Sequence, residues 1–197
     1  DDEILEVFDR ASHLKQNRKQ RSGLANDLAG QTWGLLFYKN STRTRVSFEV
    51  GINELGGNAL FLDQQSTQIG RGESIHDTAK VLSRYLDGLV IRTFGHEIIE
   101  EFAAHANIPV VNALTDLLHP CQIYADCFSI AEKLGESRDP FASLTGRKLA
   151  FLGDTSCNMA NSWIMAGKLF GLKVSLAGPQ DFAPKPDLLE LLNKEGM

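Results

Sequence analysis

Between Trp33 and Gly178, short apolar runs alternate with stretches of helical periodicity, and that order leaves few folds open. The runs WGLLFY (33–38), NALFLD (58–63), GLVIRTF (88–94) and PVVNAL (109–114) read as strands. Helical patterns fill the gaps: one from the STRTR stretch to Gly56-Gly57, then SIHDTAKVLSRYLDG (74–88) and HEIIEEFAAHA (96–106). In the second of these, Ile75, Ala79, Leu82 and Leu86 fall at intervals of four, three and four, which predicts one buried helical face through Leu86. PCQIYADCFSIAEKLG (120–135) continues as a helix with proline in its first turn. Strands separated by helices in this way imply an α/β fold, a parallel sheet with helices on both faces.

The polar segment ESRDPFASLTG (136–146) interrupts the rhythm and reads as an interdomain connection. The pattern then restarts with strand RKLAFLGD, helix NMANSWIMAGKLFG, strand LKVSLAG and the opening of a helix at residues 185–197. The expected organisation is a first α/β domain over 1–135, the connection over 136–146, and the start of a second, similar domain over 147–197. That second stretch is too short for a doubly wound domain, which usually has about 100 residues or more. The chain also lacks an initial methionine, so it reads as a piece of a longer protein. Residues 1–21 carry an amphipathic helical pattern with a basic end.

In an open parallel sheet, ligands bind beyond the carboxyl ends of the strands, so the polar residues just after each strand are the candidates for chemistry. The first strand is followed by Ser41, Thr42, Arg43, Thr44 and Arg45 at a helix start. Free N–H groups and the helix dipole make that position positive, so bases are out of place unless an anion lies between the two guanidiniums. Arg92 closes an apolar strand, where a guanidinium needs an anionic or carbonyl partner. The fourth strand leads to His119, Pro120, Cys121 and Gln122. Taken singly, each has a plainer explanation. Arg43 or Arg45 is more often a surface ion pair, Cys121 a packing thiol, Asp77 a contact with a helix dipole, and His119 a satisfied loop imidazole. Their joint placement at one sheet edge favours a bound anion. No GxxxxGKS loop is present, so a nucleoside triphosphate is not implied.

A net charge of −5 argues against a general nucleic-acid or membrane-surface role and makes the STRTR arginines a local positive spot. No apolar run approaches the roughly 18 residues of a membrane span, and no signal-peptide pattern opens the chain. Three cysteines without metal-ligand spacing suggest reduced thiols, a cytoplasmic protein and no metal site.

STRTR followed by SFE, then DTAKVLSRY and HPCQ, resembles the aspartate/ornithine carbamoyltransferases, and HPCQI with IRTFGH resembles the ornithine branch. The likeness covers nearly the whole chain. It implies a homotrimer, or a multiple of trimers, with active sites at subunit contacts and no cofactor. The substrates it implies are carbamoyl phosphate and L-ornithine, in arginine and citrulline metabolism. By the resemblance, Ser41, Thr42, Arg43 and Thr44 hold the phosphate, while Arg92, His119 and Gln122 surround the carbamoyl group. Thr44, Arg92 and His119 become the catalytic donors, and Gln68 reaches a neighbouring subunit's phosphate site. Where the ornithine branch commonly shows GDGNN, this chain reads Gly153-Asp154-Thr155-Ser156-Cys157-Asn158. With one inserted residue, Asn158 matches the asparagine that holds the amino acid. The alternatives are another acceptor amine (aspartate, putrescine or an acylated ornithine) and a non-catalytic phosphate-binding remnant.

Overall fold

Four of the apolar runs form one parallel sheet in the order β2-β1-β3-β4. The computed structural model describes residues 2–18, 26–63, 72–135, 139–184 and 188. It divides into two compact units, Asp9–Thr115 and a second formed by residues 1–8 with 116–197.

In the unit Asp9–Thr115, the strands are β1 (Thr32–Phe37), β2 (Asn58–Asp63), β3 (Gly88–Arg92) and β4 (Val110–Leu114). The helices between them are α2 (Thr42–Glu54), α3 (Ile75–Leu82) and α4 (His96–His105). The opening helix, α1 (Asp2–Asn17), runs through the boundary between the units at Phe8. Alternation along the central strands builds two cores. Leu36, Leu89 and Ile91 pack with Ala79, Ile99 and Phe102 of α3 and α4. Leu35, Phe37, Val90 and Ala113 pack with Ile52 of α2. Burial on both faces explains why β1 and β3 are continuous apolar runs. Each fully buried leucine or isoleucine contributes about 1.5–3 kcal/mol.

Strand order also decides where a ligand can go. From β1 the chain moves to β2 on one side, then crosses back to β3 on the other. The crevice of such a sheet opens where the order reverses, beyond the carboxyl ends of β1 and β3. Residue 38 onward and Arg92 leave the sheet at that point.

The second unit holds α5 (Pro120–Leu134), α6 (Pro140–Leu144), α7 (Asn158–Leu169) and the parallel pair β5 (Lys148–Leu152) and β6 (Lys173–Ala177). Its core joins Phe8, Ile123, Cys127, Leu144, Trp163 and Phe170. Phe8 lies edge-on to Tyr124 and Phe128 and stacks on Phe170 with centroids 5.8 Å apart.

The structure differs from expectation at two places. Helix α3 stops at Leu82, and Leu86 is buried from the following turns instead. Within the expected connection 136–146, Asp139 caps α6 by accepting from the N–H of Phe141 at 2.8 Å. Helix α5 lies in the second compact unit, where its Ile123 and Cys127 pack with Leu144 and Trp163. The helical pattern over 185–197 lies outside the described residues except for Leu188, which is buried. No described helix is long and apolar enough to cross a membrane.

Candidate functional site

In the unit Asp9–Thr115, Ser41 is the N-cap of α2, with extended backbone. Its Oγ accepts from the N–H of Thr44 at 3.3 Å and donates to Thr44 Oγ1 at 2.9 Å. Thr44 Oγ1 accepts a second bond, from Arg92 Nη1 at 3.3 Å. With both lone pairs of Thr44 engaged, its own hydrogen is left to donate elsewhere. Ser41, Thr44 and Arg92 therefore form one hydrogen-bonded set spanning the ends of β1 and β3. The N–H of Tyr38 adds a bond to the carbonyl of Arg92 at 2.8 Å, which ties the two segments together at the backbone.

Arg92 lies at an irregularity in the β3–β4 register, where Ile91 faces Asn112 and Arg92 faces Leu114. Burial lowers its pKa from the ordinary value, and its Nε is shielded from solvent without a hydrogen-bond partner. Among the described residues no carboxylate pairs with it. A guanidinium still charged in such a place attracts an anion or a polarised carbonyl oxygen.

The two arginines of α2 part company. Arg45 lies over the ring of Phe61, 3.7 Å from its centroid, and donates to Glu49 at 3.2 Å. The expectation of an anion held between Arg43 and Arg45 is therefore corrected: packing and an ion pair engage Arg45. Arg43 is exposed, with no ion pair among the described residues, and Thr42 beside it is exposed as well. The first turn of α2 contains no acid, so its dipole meets no negative side chain there and suits a small tetrahedral anion. Helix α3 shows the contrast. Asp77 closes a reciprocal cap with Ser74, and the hydrogen bonds from Ser74 and then His76 lower its pKa. The plain reading of Asp77 is the right one.

In the second unit, His119 is the N-cap of α5 and its N–H donates to Ser162 Oγ at 2.8 Å. Gln122 is exposed, with its amide donating to Asp126 at 2.9 Å. Burial pushes the Cys121 thiol up and that of Cys127 to about 12, so neither is poised as a thiolate. Asn158 is the first residue of α7. Before it, Asp154 accepts from the N–H and the hydroxyl of Ser156, closing the turn that follows β5. Gln68 lies outside the described residues. Sequence reasoning missed Asn161 and Ser162, buried on α7 and bonded to the 117–119 segment. Adjacent polar residues on the inward side of an apolar helix were the available signal. Among the described residues, no group of three or more His, Cys, Asp or Glu side chains could hold a metal.

Comparison with known proteins adds three findings. The family model for the aspartate/ornithine carbamoyltransferase carbamoyl-P binding domain matches residues 1–132, and that for the Asp/Orn binding domain matches residues 145–197. The ornithine carbamoyltransferase of Syntrophus aciditrophicus is 50% identical over 190 residues, covering 96% of this chain and 60% of that protein. That of Methanoculleus marisnigri is 45% identical over 187 residues, 94% of this chain and 58% of its own length. Among solved structures, the ornithine carbamoyltransferase from Pyrococcus furiosus superposes with a TM-score of 0.86 at 40% identity, over 96% of this chain and 57% of that one. The chain thus spans about 60% of the length of the curated relatives it matches.

Proposed function

Because the chain belongs to the aspartate/ornithine carbamoyltransferase family, we propose that it supplies the carbamoyl-phosphate site, and the beginning of the amino-acid site, of an ornithine carbamoyltransferase. Residues 1–135 then serve carbamoyl phosphate, 136–146 connect, and 147–197 begin the ornithine-binding part. The observation that carries this reading is the uncompensated donor set at the switch point: Ser41, Arg43, Thr44 and Arg92 around an acid-free helix start.

In this reading the side-chain amine of ornithine attacks the carbonyl carbon of carbamoyl phosphate. Negative charge gathers on the carbonyl oxygen, the bond from carbon to the bridging oxygen breaks, and phosphate leaves. The amine's proton passes to the departing phosphate or to solvent, and L-citrulline remains. Donors aimed at the oxygen lower this barrier preferentially, by about 3–4 kcal/mol for each one lost by mutation. Thr44, with its hydrogen left to donate, Arg92 and His119 fill that role. Ser41, Thr42, Arg43 and the α2 amides hold the phosphate, Gln122 borders the carbamoyl group, and Asn158 holds the amino acid.

The proposal extends to a homotrimer, or a multiple of trimers, in which Gln68 serves a neighbouring subunit. It also extends to a cytoplasmic place in arginine metabolism, supported by Cys121, Cys127 and Cys157, none of which forms a disulfide. The test is citrulline formation by the full-length protein, with aspartate and putrescine as competing amines. Phosphate binding without carbamoylation of any amine would overturn the assignment, and preference for another amine would overturn the acceptor.

No covalent intermediate is required. Cys121→Ser is therefore expected to keep turnover within about tenfold, a barrier change of at most ~1.4 kcal/mol. Kinetics should be sequential. A carbamoyl adduct on Cys121 in mass spectra, with parallel double-reciprocal plots, would refute the direct transfer.

A further inference from the structure

We infer that Ser162 is a positioning residue that sets His119 and Asn158 in fixed relation, so that the donor to the carbamoyl oxygen and the holder of the amino acid move as one piece. The inference rests on the ornithine carbamoyltransferase reading and goes beyond its site residues. Ser162 Oγ accepts from the N–H of His119 at 2.8 Å and donates to the carbonyl of Asn158 at 2.6 Å. Chemistry fixes both directions, because an amide N–H only donates and a carbonyl only accepts. One hydroxyl, 3% exposed, thus links the residue that opens α5 to the residue that opens α7.

A second grip lies one residue away. Asn161, 5% exposed, donates from Nδ2 to the carbonyl of Leu117 at 3.1 Å. Adjacent residues of one helix thereby hold the 117–119 segment at two points, which limits both its translation and its rotation. His119 has φ −133° and ψ 71° and no cap bond from its own side chain, so its orientation is set from outside α5. The back-bond from Ser162 to the carbonyl four residues earlier turns the hydroxyl hydrogen towards Asn158. A lone pair is then left facing His119, and the two bonds strengthen each other.

A catalytic donor works only within a few tenths of an ångström of its productive place. Loss of the link should therefore damage turnover more than binding. In the full-length protein, Ser162→Ala is expected to lower kcat for citrulline formation by about 30- to 100-fold. The affinity for inorganic phosphate, measured by calorimetry, should stay within about threefold, because phosphate is held by the α2 start. In a His119→Ala background, Ser162→Ala should cost no more than about tenfold further, since the part of its effect that passes through that side chain is already gone and only the part through Asn158 remains. Penalties that multiply in the double variant, or a single variant with kcat within about threefold of the parent, would overturn the inference. If Ser162→Ala loses its native circular dichroism, Ser162→Cys, a weak acceptor of similar shape, carries the same comparison. A parent protein that binds phosphate but makes no citrulline would overturn the functional reading, and this inference with it.

Discussion

Arg43→Ala is expected to abolish measurable carbamoyl-phosphate binding in a calorimetric titration of the full-length protein. Arg43 is exposed in the first turn of α2, and no described carboxylate competes for it. Its planar fork can therefore meet two phosphate oxygens at once. Two charge-assisted bonds at about 1.5–3 kcal/mol each amount to at least about a hundredfold in affinity. Arg45 cannot substitute, because it packs against Phe61 and pairs with Glu49. Arg43→Lys keeps the charge without the fork and should fall between the two. Near-parental affinity in the alanine variant would sink the assignment of this residue.

Arg92→Met is expected to lower kcat by about 10²- to 10³-fold, the loss typical of one preorganised donor. It should do so without lowering the thermal midpoint. The Arg92 guanidinium is partly buried, its Nε has no partner, and burial already lowers its pKa. The folded protein carries an uncompensated charge, and an apolar side chain of similar length relieves that cost. Thr44 keeps its bond from Ser41 in the variant. Parallel calorimetric scans and citrulline assays decide the matter. A falling thermal midpoint accompanied by nearly full activity would make Arg92 a structural residue instead.

Much of the fold was legible because burial on both faces writes an unbroken apolar run. Leu35-Leu36-Phe37 and Leu89-Val90-Ile91 admit no other reading between helical segments. What escaped depended on partners distant in sequence or on elements too short to show a period. Helix α6 has five residues, and Pro140, within the segment read as a connection, is its first position. Leu86 matched the helical spacing of α3 yet reaches the same core from a turn. At the candidate site, the polar residues after β1 and β3 were legible from strand ends alone. The role of Arg45 was not, because Phe61 belongs to a strand whose place beside α2 no local pattern reveals. Ser162 was missed for the same reason, since its link to His119 joins two helix starts that only the fold brings together.

The composition of the second unit bears on the order in which a growing chain can fold. Phe8 belongs to the core of Tyr124, Phe128 and Phe170, while Asp9–Thr115 forms a compact unit of its own. A ribosome delivers Phe8 well before Tyr124, Phe128 and Phe170, and the intervening unit can close before any of those three rings exists. Until residue 170 emerges, Phe8 has only part of its aromatic shell, and its apolar side chain stays exposed in the growing chain. Phe8 is thus made before the whole of Asp9–Thr115 and completes its packing after it.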